Sequence, residues 1–375
     1  MSRYFRNISQ SLILCVITDV RTYKFRIYPT KRQKTLLNAK LEICRKVYNR
    51  CLEYKENQYL THKKHVGEFD MNSKICEWRN SETWMQNCEI TFLHDVSRRV
   101  DKAFKGFFRR LKEKNGKAGF PRFKKEQYTS ISNPRFTFRE RDGKVRLTND
   151  IGWMKTVIHR QFPKMPTGYT LSKNQCGEWF VCMWFENVEP IHPALDKSLN
   201  VGLDMGSANF FTDSLGNNEA SPHFLKVASK ELAKAQRKGR KDVAAKIHKK
   251  VANRRADWLH KLSNRLVKNY DLIFTEDLNM RKLNAGTFKN VRKSLLDSAW
   301  GRFAGMLSYK AASAGKIYGK VNPAYTSQEC HQCGKINELS LADRVMKCSC
   351  GYVSDRDTNA ARNILRRGLA SLAQA

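Results

Sequence analysis

The chain has 375 residues, with 70 Lys and Arg against 35 Asp and Glu, for a formal net charge of +35. That length leaves room for two or three domains with cores of their own, and a 41% hydrophobic content is ordinary for a folded protein. So large a positive excess repels itself in a compact state unless a polyanion balances it, which points to nucleic acid and makes a basic surface without a specific ligand the bland alternative.

At the N-terminus Arg3 and Arg6 precede a short apolar run, Leu12 to Ile17. It is too short for a secretory signal and lacks a small-residue cleavage site, so residues 1–20 read as a buried strand or a dispensable leader. No stretch is long or apolar enough to span a membrane. Residues 21–29 alternate basic with apolar or aromatic side chains, the period of a half-buried strand. Thr30 and Gln33 then form a capping box ahead of Leu36, Leu37, Leu41, Cys44, Val47, Tyr48, Cys51 and Leu52 at helical spacing. A second helix is predicted over about 91–114. Val96, Val100, Ala103, Phe104, Phe107 and Leu111 make its inner stripe, and Arg98, Lys102, Lys105, Arg109 and Lys112 make an all-positive stripe opposite. A charge run is usually a solvated face, but one of a single sign suits phosphate contacts.

From Pro121 to Glu189 the pattern shortens to alternating runs at 135–139, 144–147 and 179–185, with turns at Asp142-Gly143 and Gly177. These predict antiparallel strands that close a β-barrel with the strand at 21–29. Pro190 to Leu195 reads as a linker. Beyond it an apolar strand ends at Asp204, a second covers Phe210 to Thr212, and helix follows from Lys226 to Lys268 with fifteen Lys or Arg against three acids. The strand Leu272 to Glu276 again ends in an acid. A helix is predicted from about Val291 to Ala314, with Leu295, Leu296, Ala299, Phe303 and Leu307 inward, then a last strand from Lys316 to Val321. Two close pairs, Cys330/Cys333 and Cys348/Cys350, have the arrangement of a zinc ribbon, with one structural Zn²⁺. The remaining cysteines are scattered like free thiols, which fits a reducing cytoplasm. Asp357 falls near the start of the terminal helix, where a carboxylate suits the dipole and can also hold a metal.

Buried strands seldom end in acid without a compensating cation or hydrogen bonds. Asp204, Glu276 and Asp357 are distant in sequence, yet convergence of two strands and a helix is how an RNase H-like fold assembles a metal cluster. Three carboxylates can hold two Mg²⁺ roughly 4 Å apart at a scissile phosphodiester. Each acid also has an innocent reading: a turn at Asp204, a lysine pair at Glu276, a helix cap at Asp357. Strand alternation puts Glu276 on the Phe274 face and Asp277 on the other, so only one of the two can join the cluster. No Ser-His-Asp or Cys-His arrangement and no GxxxxGK[ST] loop stands out, which disfavours those hydrolases and nucleotide motors.

Several stretches occur in the order of one family: YKFRIYPTKRQKTLLN near the start, GFPRFKK at 119–125, VGLDMGSANFFTDS at 201–214, IFTEDLN at 273–279, AYTSQECHQCG at 324–334 and CSCGYVSDRDTNAARNIL at 348–365. The chain resembles TnpB, the nuclease of bacterial insertion sequences related to type V CRISPR effectors. It departs from the family in having CxC for the second cysteine pair, which leaves open whether Cys348 and Cys350 both bind zinc or His331 replaces one. The resemblance implies a multidomain plan. A wedge-like barrel (1–30 and 121–189) carries a helical recognition lobe (31–120), and the 190–195 linker leads to a RuvC-like nuclease (196–322 and 352–375) holding the ribbon (323–351). It also selects Glu276 and Asp357 as catalytic with Asp204, leaving Asp355 structural. Nucleic-acid contacts are expected from Arg98, Lys102, Lys105, Arg109, Lys112, Arg122, Lys124 and Lys125. The implied activity is RNA-guided, Mg²⁺-dependent cleavage of double-stranded DNA beside a short duplex motif, with a guide RNA from the transposon end, in a prokaryotic cytoplasm at the nucleoid. A catalytically silent RNA-guided repressor and a strand-transferring transposase are the alternatives.

Overall fold

A computed structural model of the chain describes residues 20–113, 119–125, 128–134, 138–186, 196, 198–206, 209–278, 299–340 and 343–374. The expected leader, the 190–195 linker and Leu295 and Leu296 lie outside these residues. The chain divides into an N-terminal unit within Asp19–Val188 and a C-terminal unit within Glu189–Ala375.

In the N-terminal unit β1 (Arg21–Tyr28) leads to α1 (Lys31–His62), α2 (Glu68–Ser81), α3 (Thr83–Gln86) and α4 (Ile90–Lys112). Six strands follow: β2 (Ser130–Asn133), β3 (Arg139–Arg141), β4 (Lys144–Arg146), β5 (Trp153–Val157), β6 (Gly168–Lys173) and β7 (Trp179–Phe185). α1 starts where the sequence places it, because the Thr30 hydroxyl accepts from the Gln33 N–H at 3.3 Å and the Gln33 side chain accepts from the Thr30 N–H at 2.9 Å. The strands form one antiparallel sheet in the order β2-β6-β7-β1-β5-β4-β3. Strict alternation in β7 turns Trp179, Val181, Met183 and Phe185 inward. They share a core with Phe25 and Ile27 of β1, Leu37 and Leu41 of α1, and Phe92 and Val96 of α4.

The predicted barrel does not close among the described residues: β2 and β3 are the two edges of the sheet. β3 is three residues long, exposed throughout and reads Arg-Glu-Arg, the kind of charged, short edge that resists further pairing. Of the predicted strand at 135–139, Phe138 precedes β3, which begins at Arg139, and residues 135–137 lie outside the described residues.

In the C-terminal unit β8 (Asn200–Asp204), β9 (Asn209–Asp213) and β10 (Asn218–Ala220) are followed by α5 (Phe224–Val227), α6 (Ser229–Arg237) and α7 (Lys241–Asn269). Then come β11 (Leu272–Glu276), α8 (Trp300–Ser313), β12 (Ile317–Val321), β13 (Val345–Lys347), β14 (Val353–Asp355) and α9 (Arg356–Ala373). The predicted single helix over 226–268 is broken, with Gly239 at φ +63° between α6 and α7, a conformation that glycine adopts without penalty. The main sheet runs β10-β9-β8-β11-β12, with β8, β11 and β12 parallel and β9 and β10 antiparallel.

Period-two alternation sorts the side chains of this sheet onto two faces. Val201, Leu203, Ile273 and Tyr318 pack with Leu259 of α7 and Phe303 and Leu307 of α8. Leu272, Phe274 and Val321 pack on the other side with Ile364 of α9. β13 and β14 form a separate antiparallel hairpin.

Candidate functional site

β8 and β11 run side by side with Phe274 opposite Gly202 and Thr275 opposite Leu203. One residue further along, Glu276 comes abreast of Asp204 on neighbouring strands about 4.8 Å apart. Both acids lie on the α9 face, since each is two residues beyond a position that touches α9. A Cβ at Gly202 would lie 2.2 Å from the Ala361 carbonyl oxygen, and one at Gly368 would lie 2.3 Å from the Phe274 ring. The helix therefore rests directly on the two strands, with no room for a side chain at either crossing.

Asp357 stands one turn before Ala361. Asp355 caps the helix, accepting from the Asp357 and Thr358 N–H groups at 3.0 and 2.9 Å, so the cap role falls to Asp355 and the Asp357 carboxylate is left for other work. Arg356 Nε is 3.7 Å from that carboxylate.

Two of the acids act on the third. Burial holds the Asp204 carboxyl well above the usual range, and the charges of Glu276 and Asp357 push it further, against a smaller opposing pull from Arg356. Burial also raises Glu276, while a hydrogen bond from the Thr326 hydroxyl and the charge of Arg367 oppose the rise. Among the described residues no Lys or Arg forms an ion pair with Asp204 or Glu276, whereas Asp277 on the other face is paired with Lys320 at 2.9 Å. Hard oxygen donors with no close cation on Asp204 or Glu276, and only Arg356 at 3.7 Å from Asp357, fit a divalent cation.

The four thiols of Cys330, Cys333, Cys348 and Cys350 have all their sulfur atoms within 4.8 Å of one another. Among the described residues no other set of three or more His, Cys, Asp or Glu is so tight, the three carboxylates included. Two knuckles build the thiol cluster. Gly334 and Gly351, at φ +77° and +88°, turn the chain so that their N–H groups donate to the carbonyls of Cys330 and Cys348. The CxC spacing thus brings both Cys348 and Cys350 into the cluster, and His331 is not part of it. The Cys350 N–H draws the Cys348 thiol down to about 6. For Cys350 the Tyr352 N–H favours the thiolate, but the surrounding Cys333, Cys348 and Cys330 sulfurs outweigh it and push the thiol up to about 12. A donor set that must share its protons in this way is suited to a soft-tolerant cation such as zinc. All ten described cysteines are free thiols.

The positive stripe on α4 is less uniform than its sequence suggests. Arg98 pairs with Asp95 at 2.6 Å and Lys105 with Asp101 at 2.7 Å, and Arg109 approaches Glu113 at 3.9 Å. Of the inner stripe Val96, Val100 and Phe104 are buried, while Leu111 is 51% exposed. Lys102, Lys112, Arg122, Lys124 and Lys125 are exposed, and the segment carrying the last three is tied to α1, with Asn49 bonded to both the N–H and the carbonyl of Lys124.

Sequence reasoning missed the residues that hold these parts together: Thr326, Asn359 and Asn363. The two asparagines are fully buried on α9, four residues apart and so on one face. Asn359 accepts from the His331 N–H and donates to the Glu329 carbonyl, and Asn363 donates to the carbonyls of Thr326 and Glu329. Polar residues at i and i+4 inside an otherwise apolar helical stripe were the available signal.

Three family models match parts of the chain: "Helix-turn-helix domain" over residues 20–64, "Probable transposase" over 184–285 and "Cas12f1-like, TNB domain" over 300–364. A protein of Streptomyces pristinaespiralis, provisionally named an RNA-guided DNA endonuclease, is 33% identical over 94% of this chain and 90% of its own. The chain belongs to the TnpB family. InsQ of Escherichia coli (strain K12), provisionally named in the same way, is 31% identical over 94% of both chains. TnpB-like protein L79 of Acanthamoeba polyphaga mimivirus is 28% identical over 61% of this chain and 44% of its own. Within this TnpB-family chain the TNB match takes in α8, β12, the cysteine knuckles and the first half of α9, including Asp357.

Proposed function

We propose that this TnpB-family chain is an RNA-guided DNA endonuclease in which Asp204, Glu276 and Asp357 form the metal-holding catalytic site of an RNase H-like domain. One observation carries the reading: two adjacent parallel strands end in acids on the face covered by α9, whose first turn supplies a third. The names of the two full-length relatives support it. The nuclease spans 196–322 and 352–375, with the ribbon at 323–351 inserted and held by a single structural Zn²⁺ on the four cysteines.

Mg²⁺ bound between the carboxylates would activate a water and offset charge at the scissile phosphate, with two ions the number expected of such a site. The chain's own part is to hold the acids in place. Asp204 and Glu276 are fixed by strand pairing, and Asp357 by the Asp355 cap and the seating of α9. Excess positive charge grips the phosphates of the guide RNA and the target duplex, leaving sequence choice to base pairing. Lys102, Lys112, Arg122, Lys124 and Lys125 are the N-terminal contacts, with Arg98, Lys105 and Arg109 weakened by their acidic neighbours. No described helix is long and apolar enough to cross a membrane. Free thiols and a polyanion-seeking surface support work in a reducing cytoplasm beside DNA.

Plasmid cleavage with the copurifying RNA and Mg²⁺ tests the proposal. Asp204→Ala, Glu276→Ala and Asp357→Ala should each lower cleavage at least ~100-fold, the scale for losing a group that stabilises developing charge, with DNA binding retained. Undiminished cutting in any of the three would refute it. Joined products would indicate a transposase, and bound but uncut plasmid with the wild-type chain a repressor.

A further inference from the structure

We propose that Thr326 is a positioning residue for Glu276, and that through it the root of the cysteine ribbon sets the spacing of the acid site; this rests on the nuclease reading above. Thr326 is 4% exposed, and its hydroxyl donates to Glu276 Oε1. The same hydroxyl lies 3.1 Å from the Pro323 carbonyl, but it has one proton to give, and the shorter, charge-assisted bond to the carboxylate takes it.

Thr326 is itself held. Its carbonyl accepts from Asn363 at 2.9 Å, and three residues later the Glu329 carbonyl accepts from Asn359 at 2.8 Å and from Asn363 at 2.6 Å. The Glu329 carboxylate is clasped by Arg366 and Arg367. Arg367 also bonds the carbonyls of Asn322 and Ala324 at 2.9 and 2.7 Å. All of these donors belong to α9, whose first turn carries Asp357. Cys330, the buried member of the thiol cluster, directly follows Glu329.

One short segment, residues 322–331, is therefore bonded to the helix bearing Asp357 and to the acid at the tip of β11. An unsupported glutamate has three side-chain torsions to fix. Here the hydroxyl holds one of the two carboxylate oxygens. The ribbon root thus orients a side chain that it does not itself place in the reaction.

The test is Mn²⁺ binding to the full-length, zinc-loaded chain, read as free Mn²⁺ by electron paramagnetic resonance, with Asp204→Ala marking non-specific uptake. Losing an outer partner of a metal-holding side chain costs ~10–100-fold in affinity, and Thr326→Val should weaken Mn²⁺ by that factor while Thr326→Ser stays near wild type. Cleavage should follow the same split, with the Mg²⁺ concentration for half-maximal rate rising in Thr326→Val and the rate at saturating Mg²⁺ largely restored. Thr326→Ala replaces the valine variant if valine unfolds the unit. Equal binding by Thr326→Val and wild type would overturn the inference, as would equal losses in the valine and serine variants, which would point to packing. Wild-type uptake no greater than that of Asp204→Ala would instead strike the nuclease reading, and the inference would fall with it.

Discussion

In the N-terminal unit Asp95 and Asp101 are each 5% exposed, and each sits between two cations. Asp95 meets Arg98 and Arg99 at 2.6 and 2.7 Å, and Asp101 meets Lys105 and Lys55 at 2.7 and 3.6 Å. In the C-terminal unit Asp204 and Glu276 are half-buried, and the charges that raise the Asp204 carboxyl are those of other acids, with a weaker counter-pull from Arg356. Burial alone does not say whether a carboxylate serves the fold or awaits a ligand. The sign of its neighbours does: attraction at ~4 Å is worth a few kcal/mol near a protein surface, and repulsion costs as much until a cation arrives. The first kind of acid stabilises the fold as it stands, while the second stores a demand for a ligand.

The strongest way to break this contrast is to unseat the helix that supplies the third acid. Gly202→Ala would drive a methyl into the Ala361 carbonyl, a backbone atom with nowhere to move. It should destabilise the C-terminal unit by ~3 kcal/mol, at the upper end for overpacking, and abolish cleavage with it. An unchanged denaturation midpoint would mean that α9 does not rest so closely on β8.

Matched substitutions of the acids sharpen the comparison. Asp95→Ala removes the acceptor of the buried Ser132 N–H along with both guanidinium partners and should cost ~2 kcal/mol of stability. Asp204→Asn should do the reverse in the metal-free chain. A carboxyl whose pKa is raised on folding contributes stability at low pH that is lost as pH climbs through the raised value. The metal-free wild type should therefore weaken above the ordinary carboxylate range. Asparagine should remove that loss, raising Tm by about 2–4 °C at pH 8, the shift that ~1 kcal/mol produces in a unit of this size, and by less at pH 5. Thermal melts that rank Asp204→Asn below wild type in the absence of metal would contradict the distinction between the two kinds of acid.

Much of the site was legible because its signals are local. A CxxC knuckle, a capping box at Thr30 and Gln33, and apolar strands ending at Asp204 and Glu276 each fit within a few residues. Asp95 and Asp101 were legible too, at helical offsets from the basic residues they pair with, but a stripe counted for one sign passes over them. The barrel was not, since alternation reveals strands and not whether the two edges meet. Nor were Gly202, Gly368 and Thr326. Their roles come from how close α9 and the ribbon root approach the sheet, a tertiary fact that leaves no periodic mark.

The most direct test of the central claim is anomalous diffraction from crystals of the chain soaked in Mn²⁺. The account predicts anomalous peaks bounded by the carboxylates of Asp204, Glu276 and Asp357, absent in Asp204→Asn. Peaks confined to other parts of the surface, with the three acids unliganded, would contradict it.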